Sequence, residues 1–194
     1  MRPVFFFDLA SPWTYLAAER ADRLLPDLRW RPASSVELPR SAADPRDPVV
    51  RAAVERRAVE LGLPVAWPDG PSAVIRAMRI ATLADENGRA APFVLAAARL
   101  AFCGGYDLAD PEILAEAAAA ADLDLEQALR AGSQVARDDD MERAARWLLR
   151  LGAGELPAVI LDRLVFAGER RLGEAVAAAA GPIEHRRHPR ALRW

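Results

Sequence analysis

The chain has 194 residues, 52% of them hydrophobic, which is enough to bury a sizeable core as one domain or as one domain carrying an insertion. Its formal net charge of −2 gives no basic field for nucleic acid or an anionic membrane, and no apolar run approaches the length of a membrane span. Every basic residue is arginine, which excludes Schiff-base and P-loop lysine chemistry; the single cysteine, Cys103, excludes an intramolecular disulfide and a Cys-x-x-Cys redox pair. No charged n-region or small-residue cleavage site opens the chain, so no signal peptide is visible and a soluble, cytoplasmic protein is expected.

Val4-Phe5-Phe6-Phe7 is short, continuously apolar and aromatic, the pattern of a buried strand. A helix is expected from Pro12 to about Leu25, a turn at Pro26-Asp27, and a second strand over Leu28-Arg29-Trp30-Arg31, which alternates. A proline-bearing loop then runs from Ala33 through Pro48. From about Val49 to Leu151 the pattern is helical. Val50 to Leu61 stops at Gly62-Leu63-Pro64, Ser72 to Glu86 closes at Asn87-Gly88, and Pro92 to Phe102 closes at Gly104-Gly105. Asp110-Pro111 opens another helix with an acidic cap and proline at its first position, and Leu123-Asp124-Leu125 begins the next. Asp138-Asp139-Asp140 precedes one predicted from Met141 to Leu151. Strands return at Ala158 to Leu161 and Leu164 to Ala167, separated by a hairpin-length gap, and a last helix covers Leu172 to Ala180.

The order β-α-β, helices, β-β-α implies an α/β fold in which two parallel strands are joined by a crossover helix and a hairpin completes the same sheet. This is similar to the thioredoxin-like arrangement with a large all-helical insertion between its two halves. It divides the chain into a discontinuous thioredoxin-like domain, residues 1–40 and 152–194, and an inserted helical domain, residues 41–151.

The first strand breaks at Leu9-Ala10-Ser11-Pro12-Trp13 and passes at once into a helix, which sets the Ser11 hydroxyl where the first backbone N–H groups of that helix converge. Such a spot favours an anion or a thiolate, although Ser-Pro is also a common helix start with no chemistry attached. Pro157, directly ahead of the third strand, fits the loop proline of such a fold. A cis peptide bond there would leave the Leu156 backbone to pair with an extended ligand. Cys103 reads as a small apolar group at a helix end, and the three aspartates as partners of a helix dipole. His185 and His188, in a basic tail without further ligands, are a weak metal signal, so no metal is expected. The tail reads as solvated, or as docking on a partner subunit through Trp194.

Several segments resemble, in order, the DsbA-like group that includes 2-hydroxychromene-2-carboxylate isomerases and kappa-class glutathione transferases. They are Phe6 to Ala17, Arg76-Ala77-Met78-Arg79, Tyr106 to Leu114, Gly152 to Pro157 and Phe166 to Leu172. The resemblance implies a serine, Ser11, where redox relatives carry their first cysteine, hydrogen-bonded to the sulfur of bound glutathione and favouring its thiolate. It implies backbone contacts from Leu156 and Pro157, ligand-end contacts from Gly168, Glu169, Arg170 and Arg171, and a hydrophobic or aromatic anionic substrate near Trp13 and Tyr15. It also implies a homodimer.

Three positions depart from that pattern. Ala73 stands where the family usually has a ligand-contacting asparagine. Arg170 stands where an acidic side chain helps hold the amino end of glutathione, and arginine would instead attract a carboxylate or phosphate. No lysine is available between Val36 and Arg51, where Arg40, Arg46 or Arg51 would have to meet an anionic substrate. The expected activity is therefore glutathione-dependent cis-trans isomerisation or transfer, with another low-molecular-weight thiol as an open cofactor. The alternative is a noncatalytic ligand- or protein-binding module of the same fold; a disulfide oxidoreductase is disfavoured because the cysteines are missing.

Overall fold

The structure, a computed structural model, describes residues 2–39, 46–68 and 74–181. Four short strands form one mixed sheet in the order β2-β1-β3-β4: β1 is Val4–Phe7, β2 Arg29–Pro32, β3 Ala158–Leu161 and β4 Leu164–Ala167. β1 and β2 run parallel with Phe6 opposite Arg31, while β3 runs antiparallel to β1 with Ala158 opposite Phe6. β3 and β4 make the expected hairpin around Asp162-Arg163, with Asp162 in the left-handed region at φ 55°. Aspartate tolerates that conformation better than most residues.

The parallel pair is joined by α1, Pro12–Leu24. The middle of the chain is helical: α2 Pro48–Leu61, α3 Ile75–Glu86, α4 Ala90–Phe102, α5 Pro111–Ala120, α6 Leu125–Gly132 and α7 Asp138–Arg150; α8, Leu172–Ala180, closes the described chain. Several boundaries differ from the sequence reading. β2 lies one residue later, because Pro32 has no N–H to place in a ladder and serves as the last residue of an edge strand. Pro48 belongs to α2, not to the loop before it: the Asp47 side chain accepts from the Val49 N–H, and proline suits the first helical position. α4 begins at Ala90, since Pro92 is tolerated within a first turn. α3 is seen from Ile75; residues 72 and 73, predicted to start it, lie outside the described residues.

The three aspartates are the first turn of α7, not its prelude. Acidic side chains favour the positive end of a helix, and Asp138 has a specific partner. Arg79 of α3 grips it with two bonds, Nε to Oδ1 at 2.8 Å and Nη2 to Oδ2 at 2.7 Å, and donates a third to the Gly132 carbonyl at 3.3 Å. One guanidinium thus ties together α3, the end of α6 and the start of α7.

Alternation along β1 divides the interior. Phe5 and Phe7 face one side, in a cluster that continues through Leu16 and Met78 to Phe93, Val94 and Leu114 of the helical block. Phe6 faces the other side, with Ala158 and Ile160, against Ala144, Ala145 and Leu148 of α7. Each fully buried phenylalanine contributes about 2–3 kcal/mol of transfer free energy. α7, although it falls inside the 41–151 span, packs on the sheet, and the larger cluster has no break between sheet and helices. Among the described residues, no helix is long and apolar enough to cross a membrane.

Candidate functional site

The strand directions gather four chain segments at one end of the sheet. β1 and β2 both leave the sheet there, β3 enters it and β4 leaves it, so the Ser11 turn, the Ala33–Ser35 segment, Pro157 and Gly168 share that end. The Leu156-Pro157 peptide bond is cis, as expected for this loop. The Gly168 N–H donates to the Pro157 carbonyl at 2.8 Å, extending the hairpin ladder by one rung. Gly168 has φ +91°, and a Cβ there would stand 3.2 Å from a Glu155 carboxylate oxygen, so both backbone and space call for glycine.

Ser11 occupies the N-cap of α1 but does not behave as an ordinary cap. Its backbone is extended, Pro12 fills the first helical position, and the side chain makes no capping hydrogen bond. The residue is 8% exposed. The first turn of α1 contains no acidic residue, so the positive end of the helix is not neutralised from within. A near-buried hydroxyl that its own helix leaves unused, at a helix N-terminus, is suited to hold a charged sulfur.

Two residues that the sequence reading quoted without assigning a role hold this turn. The buried Asp8 carboxylate accepts from the Ala10 N–H at 2.8 Å through Oδ1 and from the Ser35 N–H at 2.8 Å through Oδ2. Aspartate bonding two residues ahead is a recognised turn signal; the reach to Ser35 has none. Met78 of α3 offers its Sδ to the Leu9 N–H at 3.3 Å, which fixes the helical block against the same turn.

The ligand-end residues are placed differently from one another. Glu169 is turned inward and 3% exposed. Arg20 of α1 donates to its Oε1 at 2.6 Å, and Arg57 of α2 donates to Oε2 at 2.9 Å and Oε1 at 3.1 Å. The Arg57 guanidinium is held more firmly protonated than usual, first by its bond to Glu169 and then by its bond to Glu60. Glu169 is therefore saturated by guanidinium donors, and its carboxylate is spent inside the protein. Arg170 is exposed. Arg171 is engaged locally: it pairs with Glu174 at 2.8 Å, donates to the Val165 carbonyl at 3.2 Å, and lies 5.3 Å over the Phe166 ring.

The two expected pocket aromatics also part company. Trp13 is half-buried against the larger cluster. Tyr15 is 2% exposed, its ring 6.3 Å from that of Phe102, and its hydroxyl donates to the Pro64 carbonyl at 2.8 Å. Burial pushes its phenol up to about 12, and the neighbouring Cys103 and Glu19 push in the same direction. As placed, Tyr15 is a core residue whose polar tip is already used.

Among the described residues, no group of His, Cys, Asp and Glu is arranged to hold a metal ion. Arg40, Ala73, His185, His188 and Trp194 lie outside the described residues. Arg51 lies 4.9 Å over Trp67, a structural contact rather than a solvated side chain.

A β-α-β unit and a hairpin in one sheet, a loop cis-proline, and a serine at the start of the first helix define a thioredoxin-fold protein with a helical insertion and a hydroxyl at the turn between β1 and α1. Residues 4–178 match the family model of the DSBA-like thioredoxin domain, and the chain belongs to that family. No curated protein matches its sequence. Among solved structures it is similar to a 2-hydroxychromene-2-carboxylate isomerase, with a TM-score of 0.75 at 18% identity over 92% of this chain and 94% of that one. It is also similar to a DsbA-like protein of Streptomyces coelicolor, with a TM-score of 0.72 at 24% identity over 100% of this chain and 94% of the other. The cytosolic disulfide reductase DsbM of Pseudomonas aeruginosa gives a TM-score of 0.69 at 20% identity over 93% and 96% of the two chains, and a second structure of that protein contains glutathione. At these identities the likeness is one of fold.

Proposed function

We propose that this protein is a thiol-dependent isomerase or transferase in which the Ser11 hydroxyl donates to the sulfur of a bound low-molecular-weight thiol. The observation that carries this reading is the Ser11 side chain, nearly buried and left uncommitted by its own helix. A donor to the sulfur combined with a helix N-terminus favours the thiolate, and one unit of thiol pKa is about 1.4 kcal/mol of such preference. A bound thiolate supplies a nucleophile that adds reversibly to a conjugated alkene and so permits cis-trans isomerisation. In this reading the cis Leu156-Pro157 segment lies along the thiol's backbone, Trp13 borders an aromatic anionic substrate, and the protein works as a cytoplasmic homodimer.

The residues fit the two ends of glutathione unequally. The sulfur end has Ser11; the amino end would look to Glu169, whose oxygens are already engaged by Arg20 and Arg57. The same observation favours the second reading, a noncatalytic binding module that has given up its cofactor. Calorimetric titration with glutathione, and with a panel of other small thiols, tests the proposal. Binding that weakens about tenfold in Ser11→Ala, with the bound thiol titrating about one unit higher, supports it. No binding of any thiol at millimolar concentration sinks it and leaves the module.

A further inference from the structure

A second feature lies on the sheet face covered by α7, away from the α1 side. Alternation along β2 sends Trp30 into the larger core and leaves Arg29 and Arg31 on the opposite face, beside Val4 and Phe6 of β1. α7 crosses that face with Arg143, Trp147 and Arg150 at the three- and four-residue spacings that share one helix side. Between them is a cavity of about 330 Å³. Small-molecule sites begin at about that size.

Charge and aromatic surface coincide there. Four guanidiniums line the cavity, and among the described residues two carboxylates pair with them: Asp85, 3.6 Å from Arg29 and also within the field of Arg31, and Asp140, paired with Arg143. Among the described residues, Arg31 and Arg150 have no carboxylate paired with them alone, so the described lining of the groove carries more positive than negative charge. Trp147 is 38% exposed; one side of its ring meets Phe6, centroids 5.6 Å apart. Its other surface is not capped by any of these arginines, because the arginine-over-ring contacts among the described residues are at Trp67 and Phe166. The chain's last segment would not neutralise the groove, since residues 182–194 carry four arginines against one glutamate.

We propose that this groove binds a small aromatic phosphate, with Arg31 and Arg150 holding the phosphate and Trp147 stacking on the ring. Guanidinium is the side chain that meets phosphate with paired N–H donors, and an indole face accepts any flat ring. A longer polyanion is disfavoured by the protein's overall negative charge. The site is independent of Ser11 and of any thiol.

Adenosine 5′-monophosphate, adenosine and inorganic phosphate serve as probes in calorimetric titrations of the full chain. The monophosphate is expected to bind more tightly than either fragment. Binding should fall at least about tenfold when Arg31→Glu and Arg150→Glu are combined, as expected for two lost charge-assisted contacts. Arg150 is exposed and Arg31 half-buried at an edge strand, and a thermal melt checks that the fold persists. Trp147→Leu should weaken the monophosphate while leaving inorganic phosphate unchanged. The proposal is overturned if none of the probes binds, if binding ignores the charge reversals, or if inorganic phosphate binds as well as the nucleotide.

Discussion

Ser11 and Glu169 belong to the same expected ligand site, yet the protein treats their polar side chains in opposite ways. The serine hydroxyl is left unspent by its own helix, while the glutamate carboxylate is consumed by three bonds from two arginines. A buried charge must be paired, whereas a neutral hydroxyl can wait for a partner at small cost. The polar group that stays available for a ligand is the one the fold can leave idle.

The largest effect that would break this contrast is expected from Glu169→Gln. It leaves Arg20 and Arg57 facing a neutral amide, and loss of one member of a buried ion pair costs about 3 kcal/mol; urea denaturation measures it. A loss below about 1 kcal/mol would mean that water reaches the pair and that Glu169 is open to a ligand after all. Arg79→Ala should cost somewhat less, about 2 kcal/mol, because the Asp138 carboxylate it abandons is already partly in water. The same denaturation series ranks the two.

Tyr15→Phe removes one hydrogen bond to the Pro64 carbonyl and should cost about 1 kcal/mol. It also has a pH signature. The folded phenol ionises near 12 against 10.0 for the free group, so the folded state holds the proton more tightly. That stabilisation is complete below pH 10 and disappears as pH rises toward 12. Melting temperatures over this window should fall more steeply in the parent than in Tyr15→Phe. The smallest effect on stability belongs to Ser11→Ala. An N-cap serine is ordinarily worth about 1 kcal/mol, but this one makes no capping bond. Its loss should cost less than about 0.5 kcal/mol, because no capping or other named stabilising interaction is lost with it. A cost near the ordinary value would show that the hydroxyl serves its helix rather than a ligand.

The fold was legible because its signals are local. The aromatic run of β1, the paired apolar runs of β3 and β4 and the glycine after α2 each declare themselves within a few residues. Boundaries shifted mostly by local proline and cap effects, but one has a distant partner: α7 starts at Asp138, which is 59 residues from the arginine that holds it. The site divided in the same way. Ser11 and Pro157 could be found from the turn and the strand beside them. Arg20 and Arg57 could not, because they lie 149 and 112 residues from Glu169 and nothing in their local sequence points to it. Only the packing of α1, α2 and the segment after β4 turns them inward.

Asp8 shows how strictly such a turn is specified. Both its oxygens accept from backbone N–H groups, one in the Ser11 turn and one in the exit from β2. An asparagine in its place would keep the shape of the side chain but turn one acceptor into a donor aimed at another donor. A single exchanged atom would thereby set two loops against each other, and the serine would lose its position without ever being touched.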